Sequence, residues 1–365
     1  MRWPWRNSAD RTRKLQLSAT RLDLAASGIG RVARLMARVL GEHVSQGQLT
    51  ATALTLSPGP SEVFGIPVRS TKDSQLRFLA HNALASARAD CHLYDFAGVV
   101  RAHPPAAFAR PYLTWMHGID VWENARPDHL DRLRAADLLL VNSDYTRDRA
   151  TRLHSGLERA RVCWLATETD EPAPPRLDDH PPTVTILSRI DASENYKGHR
   201  ELIEAWPGVR KLVSDAQLVI AGDGSGRHAL EQLARRSAPD AGIQFLGFVP
   251  DAQVPTLLRN SDVFAMPSRG EGFGLAYIEA MRFGIPVVAS VHDAAPEINL
   301  HRVTGLNVDL TRSAELSAAL SQLLAEPELA RSYGAAGRAR WAERFCFARF
   351  RERFSRHLAD LIAQT

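Results

Sequence analysis

Cysteine is scarce in this sequence. Cys91, Cys163 and Cys346 are odd in number, far apart and without C-x-x-C spacing, which excludes a disulfide framework or a thiolate zinc site and leaves buried free thiols as the expectation. Long apolar runs are missing as well. The longest, such as Leu138 to Val141 and Ile285 to Ala289, are strand-sized and far short of a bilayer-spanning helix. The N-terminal stretch MRWPWRNSADRTRK is basic, but the following LQLSATRLDL alternates and carries charges, so the apolar core of a secretory signal is lacking and an intracellular protein is expected. There is no repeat of solenoid period and no low-complexity tract. No Asp-x-Asp triad occupies a plausible loop, so no metal centre and no cofactor is expected.

What remains is a soluble globular composition, 45% hydrophobic and 24% charged. At 365 residues the chain is long enough for two cores. The first half alternates strand-like and helix-like segments, from LQLSATRLDL and RVARLMARVLGE to HLDRLRAA and DLLLVNS, as a parallel sheet covered by helices requires. The pattern breaks in ETDEPAPPRLDDHPP and restarts with TVTILSRI, ending in IPVVAS and a largely helical C-terminus. The expected class is α/β, with two Rossmann-like doubly wound domains facing a cleft. The expected division is an N-terminal domain over 1–168, a linker over 169–182, a second domain over 183–345 and a C-terminal helix over 346–365. Ligands of such sheets sit outside the carboxyl ends of the strands.

The formal charge is +4, but it is uneven. Arg2, Arg6, Arg11, Arg13, Lys14, Arg21, Arg31, Arg34 and Arg38 face only Asp10, Asp23 and Glu42. Such an excess suits a peripheral contact with an anionic membrane surface or a phosphate-bearing substrate; a merely solvated tail fits equally.

Four motifs fall after strands. In Ser27-Gly28-Ile29-Gly30-Arg31, opening a helix, the glycines suit either close approach of a phosphate or tight packing; Ala33 occupies the third position of a dinucleotide fingerprint, leaving a nicotinamide enzyme open. Arg189 and Lys197, in Ser188-Arg189-Ile190 and Asn195-Tyr196-Lys197-Gly198-His199, can clamp a diphosphate, the Arg as a fork and the Lys as a point charge. Gly222 and Gly224, in Ala221-Gly222-Asp223-Gly224-Ser225-Gly226, suit phosphate approach or a plain tight connection. The most informative run is Glu271-Gly272-Phe273-Gly274-Leu275-Ala276-Tyr277-Ile278-Glu279-Ala280-Met281: two carboxylates able to accept sugar and ribose hydroxyls, in glycine-rich surroundings that free backbone N–H groups for oxygen ligands.

EGFGLAYIEAM, with its two glutamates separated by seven residues, resembles the signature of the family-four retaining glycosyltransferases, bacterial polysaccharide or glycolipid mannosyltransferases among them. SGIGR, SRI…ENYKGH, AGDGSG and FLGFVPD occur in the order that family uses. The resemblance implies the GT-B fold, with the C-terminal helix returning to an acceptor-binding N-terminal domain and a nucleotide-sugar-binding second domain. It implies that Glu279 holds the donor ribose and Glu271 the transferred sugar. Phe273, Gly274 and Leu275 would offer backbone N–H groups, Arg189 and Lys197 would neutralise the diphosphate, and Val249 would meet the nucleobase through its main chain. Gly28 would face the phosphate from the opposite domain, with Gly30 beside it in the same turn. His117, in Trp115-Met116-His117-Gly118-Ile119-Asp120, matches the acceptor-side histidine. Many relatives have Gly-Gly where Ser27-Gly28 stands here.

The implied activity is metal-independent hexosyl transfer with retention of configuration, from GDP-mannose by preference or a UDP-hexose, to a sugar or lipid-linked acceptor in polysaccharide or glycolipid assembly. The implied place is the cytoplasm or the inner face of the plasma membrane, with no nucleic-acid partner. Domain closure would exclude water, which otherwise hydrolyses the donor. Two other classes remain: a same-fold epimerase or oxidoreductase, and a noncatalytic nucleotide-sugar-binding subunit.

Overall fold

The computed structural model describes residues 12–23, 28–104, 110–118, 120–123, 125–174, 176–177, 179–239, 242–312 and 314–363. Arg2, Arg6, Arg11 and Ser27 lie outside the described residues. The chain divides into two compact units, Met1–Glu168 with Phe347–Thr365, and Thr169–Cys346. Cys91, Cys163 and Cys346 are free and buried.

In the first unit the elements run β1 (Arg13–Ala19), α1 (Gly28–Ser45), β2 (Leu49–Thr55), β3 (Glu62–Val63), β4 (Ile66–Ser70), α2 (Gln75–Ser86), β5 (Cys91–Tyr94), α3 (Ala97–Val100), β6 (Tyr112–Met116), α4 (Pro127–Ala135), β7 (Leu138–Val141), α5 (Asp144–Leu153) and β8 (Arg161–Val162). They form one sheet in the order β3-β4-β2-β1-β5-β6-β7-β8, parallel except for the β3–β4 hairpin. Strand order reverses at β1, which pairs with both β2 and β5. Helix α1 forms because Val32, Leu35, Met36, Val39 and Leu40 recur at helical spacing, and all five are buried. Helix α2 follows another logic. It buries Phe78, Asn82 and Ser86, and Asn82 ties it to the sheet, accepting from Ser18 Oγ at 2.6 Å and donating to Tyr94 Oη at 2.9 Å. Its opposite face leaves Leu76, Leu79 and Leu84 exposed.

The second unit begins with the acidic, proline-rich segment, which is fastened to its own unit. Arg282 donates to the Glu171 carbonyl, Arg338 to that of Ala173, Leu177 N–H to that of Arg259, and Arg176 pairs with Asp262 at 3.0 Å. Then come β9 (Thr183–Leu187), α6 (His199–Leu212), β10 (Gln217–Ala221), α7 (Arg227–Ser237), β11 (Ile243–Gly247), α8 (Val254–Arg259), β12 (Val263–Ala265), α9 (Leu275–Arg282), β13 (Val287–Ser290), α10 (Ala295–Ile298), β14 (Gly305–Val308), α11 (Glu315–Ala325) and α12 (Pro327–Arg340). The sheet order is β11-β10-β9-β12-β13-β14, every pair parallel. This is the doubly wound dinucleotide-type order, with its switch point between β9 and β12.

After a short π-helical turn, α13 (Phe347–Ile362) belongs to the first unit. Its Phe350, Phe354, Leu358 and Leu361 are fully buried, each contributing about 1.5–3 kcal/mol. Phe350 and Phe354 stack near Trp115 of β6. Ser355 Oγ meets His43 Nε2 at 2.9 Å, and the Arg38 guanidinium lies 3.7 Å from the Phe347 ring centre.

Candidate active site

In the second unit the loops leaving β9 and β12, the two strands at the switch point, carry the residues of interest. They meet directly: Lys197 Nζ is 3.1 Å from Glu271 Oε2, with side chains 15% and 21% exposed. The backbone fixes this encounter. Arg269 N–H donates to the Tyr196 carbonyl at 2.8 Å, tying one loop to the other. Glu271 N–H donates to Asp293 Oδ2 at 2.9 Å. Burial pulls the Lys197 ammonium down, but Glu271 and Tyr196 outweigh it and the net displacement is upward, so the cation persists throughout the neutral range. His199, beside Ser188 Oγ at 3.0 Å, is lowered to about 4 by burial and then by Lys197, and is neutral there. Arg189 differs: its side chain is 62% exposed and paired with Glu194, whose own side chain is 14% exposed.

The glycine-rich run turns into α9. Gly274 precedes the helix at φ +90°, and a Cβ there would lie 2.2 Å from the Tyr277 ring. Tyr277 is held by its hydroxyl bond to the Met266 carbonyl, 2.7 Å. Phe273 is 2% exposed and packs edge-on against Phe345, leaving its main chain as the part able to meet a ligand. Leu275 opens α9, where first-turn N–H groups have no intrahelical acceptor. Glu279 lies one turn further on, half-buried.

Gly222 and Gly224 have an internal purpose. A Cβ at Gly222 would stand 1.8 Å from the Ser188 carbonyl oxygen, and one at Gly224 2.2 Å from that of Ile190. The two turns pack backbone on backbone, and Ile190 N–H donates to the Asp223 carbonyl at 3.0 Å, so the Arg189 loop is seated on the glycine turn. Val249 is half-buried and lines a groove of about 540 Å³ with Thr183, Gln217, Val219, Leu246 and Asn260.

In the first unit His117 follows β6 and is held on several sides. Its N–H donates to Asp120 Oδ1 at 3.0 Å, its carbonyl accepts from Asn142 Nδ2 at 2.9 Å, and its ring lies parallel to Trp115. Nε2 is 2.6 Å from the Asp95 carbonyl. Since a carbonyl only accepts, Nε2 carries a proton here, which leaves Nδ1 as the ring nitrogen not engaged with Asp95. Gly28 opens α1 with nothing among the described residues within 4 Å of the position a Cβ would take; Gly30, two residues along, is buried. Three of the nine cations of the basic excess are tied within the unit: Arg34 is 8% exposed and pairs with Glu168 at 2.8 Å, Arg21 pairs with Asp23, and Arg38 donates to the Glu168 carbonyl.

Sequence reasoning missed Asp95, Asn142, Tyr196 and Asp293. The available signal was a polar residue directly after a strand, as in LYDF and LLLVNS. Asp95 is fully buried, with Oδ2 accepting Thr20 N–H at 2.9 Å. Burial pushes its carboxyl up to about 7, against the lowering effect of the Thr20 bonds. Between about pH 4 and 7 the folded chain therefore keeps a proton that the unfolded chain loses, so this group's contribution to stability falls as pH rises through that window. Asp95→Asn has no such proton. Its unfolding free energy is expected to gain on the wild type by about 1.4 kcal/mol for each pH unit climbed between 4 and 7. Chemical denaturation at pH 5 and 7.5 checks this; a constant difference between the two proteins refutes it.

Two parallel α/β units, each a doubly wound sheet with its loops leaving the switch-point strands, are the units of the GT-B fold. The likeness to solved structures is of that fold: the crystal structure of Anabaena Alr3699/HepE in complex with UDP superposes with a TM-score of 0.78 at 20% identity, over 96% of this chain and 100% of that one. The model of the family "Glycosyl transferases group 1" matches residues 168–340, nearly the whole second unit, and the resemblance read from the sequence is borne out. The chain is 33% identical over 258 residues to the GDP-mannose-dependent alpha-(1-6)-phosphatidylinositol monomannoside mannosyltransferase of Mycolicibacterium smegmatis, covering 65% of this chain and 66% of that protein. It is 32% identical over 254 residues to the protein of the same name from Mycobacterium tuberculosis, covering 64% and 65%. The matched stretch thus spans just under two thirds of these relatives' length.

Proposed function

We propose that this chain is a retaining hexosyltransferase that moves mannose from GDP-mannose to a lipid-linked or glycolipid sugar. The observation that carries the reading is the Lys197–Glu271 pair, held by backbone bonds at the carboxyl end of the switch-point strands. The preference for GDP-mannose draws on the names of the mycobacterial relatives.

In this reading an incoming diphosphate draws Lys197 into a shared contact between Glu271 and a phosphate oxygen, and Arg189 leaves Glu194 to join it. Both cations then face the charge that grows on the departing nucleoside diphosphate, where fixed charges lower the barrier most. Glu271 orients a hydroxyl of the transferred sugar, Glu279 the ribose, and the main chain of Phe273, Gly274 and Leu275 the oxygens between. Gly222 and Gly224 support the Arg189 loop, and Val249 meets the nucleobase through its main chain. In the first unit, Gly28 leaves room for a phosphate at the start of α1, Gly30 packs behind it, and His117 offers Nδ1 to an acceptor hydroxyl. The two cations do the work that a divalent metal does in other transferases, so the reading calls for no metal.

Among the described residues no helix is long and apolar enough to cross a membrane. Peripheral contact at the cytoplasmic face is part of the proposal, supported by Leu76 and Leu84, 80% and 62% exposed on α2, beside the exposed Lys72 and Arg77.

The test is nucleoside-diphosphate release from a panel of GDP- and UDP-sugars in EDTA, with and without glycolipid acceptors. Turnover of GDP-mannose that rises with acceptor is expected. Binding of a nucleotide sugar without turnover under any acceptor would move the reading to a noncatalytic binding subunit, and a requirement for divalent metal would overturn the metal-free mechanism.

A further inference from the structure

Asp293 follows β13 and is 3% exposed, and both of its carboxylate oxygens are occupied by backbone donors. Oδ1 accepts Ala295 N–H at 3.0 Å, at the start of α10. Oδ2 reaches back 22 residues to Glu271 N–H at 2.9 Å. The next residue completes the grip, since Ala294 N–H donates to the Glu271 carbonyl at 3.2 Å. Glu271 is therefore held through its own N–H and its own C=O by two successive residues of one loop. The approach to it is fixed as well: Gly270 N–H donates to Ser268 Oγ at 3.2 Å, and Ser290 Oγ donates to the Ser268 carbonyl.

The bond from Asp293 to Ala295 N–H, two residues on, is an Asx turn leading into α10, which needs one oxygen that an Asn supplies without burying a charge. A buried carboxyl is the costly choice. Burial pushes this one up to about 7, the Ala295 and Glu271 N–H bonds oppose that, and the neighbouring Glu271 charge adds to it. The part of the arrangement that the turn does not explain is the bond to Glu271, whose side chain is the partner of Lys197.

We propose that Asp293 is the positioning residue of the donor site: by clamping the Glu271 main chain it holds the Glu271 carboxylate where the transferred sugar is oriented. The inference rests on the functional reading above. Asp293 touches no substrate; it acts through Glu271.

The experiment compares wild type, Asp293→Ala, Asp293→Asn, Glu271→Gln and the Asp293→Ala/Glu271→Gln double variant by donor turnover, together with amide hydrogen exchange over 268–274. Asp293→Ala is expected to lower kcat about 30-fold while donor KM stays within about threefold, as loss of preorganisation rather than of binding requires. Asp293→Asn, whose side-chain oxygen can still accept the Glu271 N–H, is expected to recover most of that loss. In the Glu271→Gln background the alanine substitution is expected to cost no more than about twofold, because the two residues act as one unit. Exchange at the Glu271 amide is expected to quicken in Asp293→Ala while β9 and β10 keep their protection.

A full repeat of the alanine loss in the Glu271→Gln background overturns the proposal, as does wild-type kcat in Asp293→Ala. Unchanged exchange at Glu271 overturns the clamp whatever the activity. A wild-type chain that turns over no nucleotide sugar sinks the functional reading, and the exchange result still judges the clamp separately.

Discussion

Lys197→Met is expected to abolish nearly all donor turnover, by about 10²–10³-fold, while leaving the chain folded. Methionine keeps the length and apolar stem of lysine and removes only the charge. Removal of one preorganised charge or donor facing the charge developed in a transition state costs about 3–4 kcal/mol. Lys197 is well suited to that work, since its ammonium is only 15% exposed and approached by Glu271 at 3.1 Å, in surroundings where screening by water is weak. A second effect follows from the same geometry. Without Lys197 the Glu271 carboxylate, 21% exposed, loses its cation, at a cost of about 1–3 kcal/mol of stability. The measurements are nucleoside-diphosphate release under saturating donor and the thermal midpoint. Turnover within threefold of wild type would remove Lys197 from the mechanism; an unfolded variant would be replaced by Lys197→Arg, expected to fold but to place its fork wrongly for a point-charge site.

Gly222→Ala is the substitution expected to damage the second unit most. Its φ of +145° lies where side chains are rarely tolerated, and the added Cβ would fall 1.8 Å from the Ser188 carbonyl oxygen. The obstacle is backbone in a parallel sheet, not the end of a flexible side chain. Relief would require separating the turn after β10 from that after β9, breaking bonds such as Ser188 N–H to the Ala221 carbonyl at 3.0 Å. The expected loss is about 3–5 kcal/mol, read as a fall in the denaturation midpoint of the second unit. Gly28→Ala serves as the contrast, because no described residue comes within 4 Å of its Cβ position and stability should move by no more than about 0.5 kcal/mol. Equal midpoints for the two variants would refute the packing argument.

Periodicity carried most of the fold. Helix α1 could be drawn from Val32, Leu35, Met36, Val39 and Leu40, and the strands from runs such as TVTIL and LLLV that are buried on both faces. The site was legible where chemistry and chain position coincide, in Arg189, Lys197 and Glu271 on loops after strands. What sequence could not show was partnership. Nothing in local pattern pairs Lys197 with a residue 74 positions away, sends Asp293 back to Glu271, or turns Arg34 from a surface cation into an internal tie with Glu168, 134 positions on. Nor did it separate the two uses of glycine: Gly222 and Gly224 make room for the chain's own carbonyls, whereas no described residue crowds a Cβ at Gly28. Such distinctions depend on which strands lie side by side, a property of topology rather than of neighbouring residues.

Helix α13 carries a consequence for biosynthesis. The sheet of the first unit is made before the second unit, yet Trp115 of its β6 stacks near Phe350 and Phe354, which are made after it. Domains generally fold as units in the order of synthesis. Here that order is inverted: the unit spanning Thr169–Cys346 has its whole sequence available first, while the earlier-made sheet waits with an apolar face uncovered. The nascent chain therefore passes through an interval in which exposed β6 is the surface a chaperone would hold, and release from it coincides with the arrival of α13.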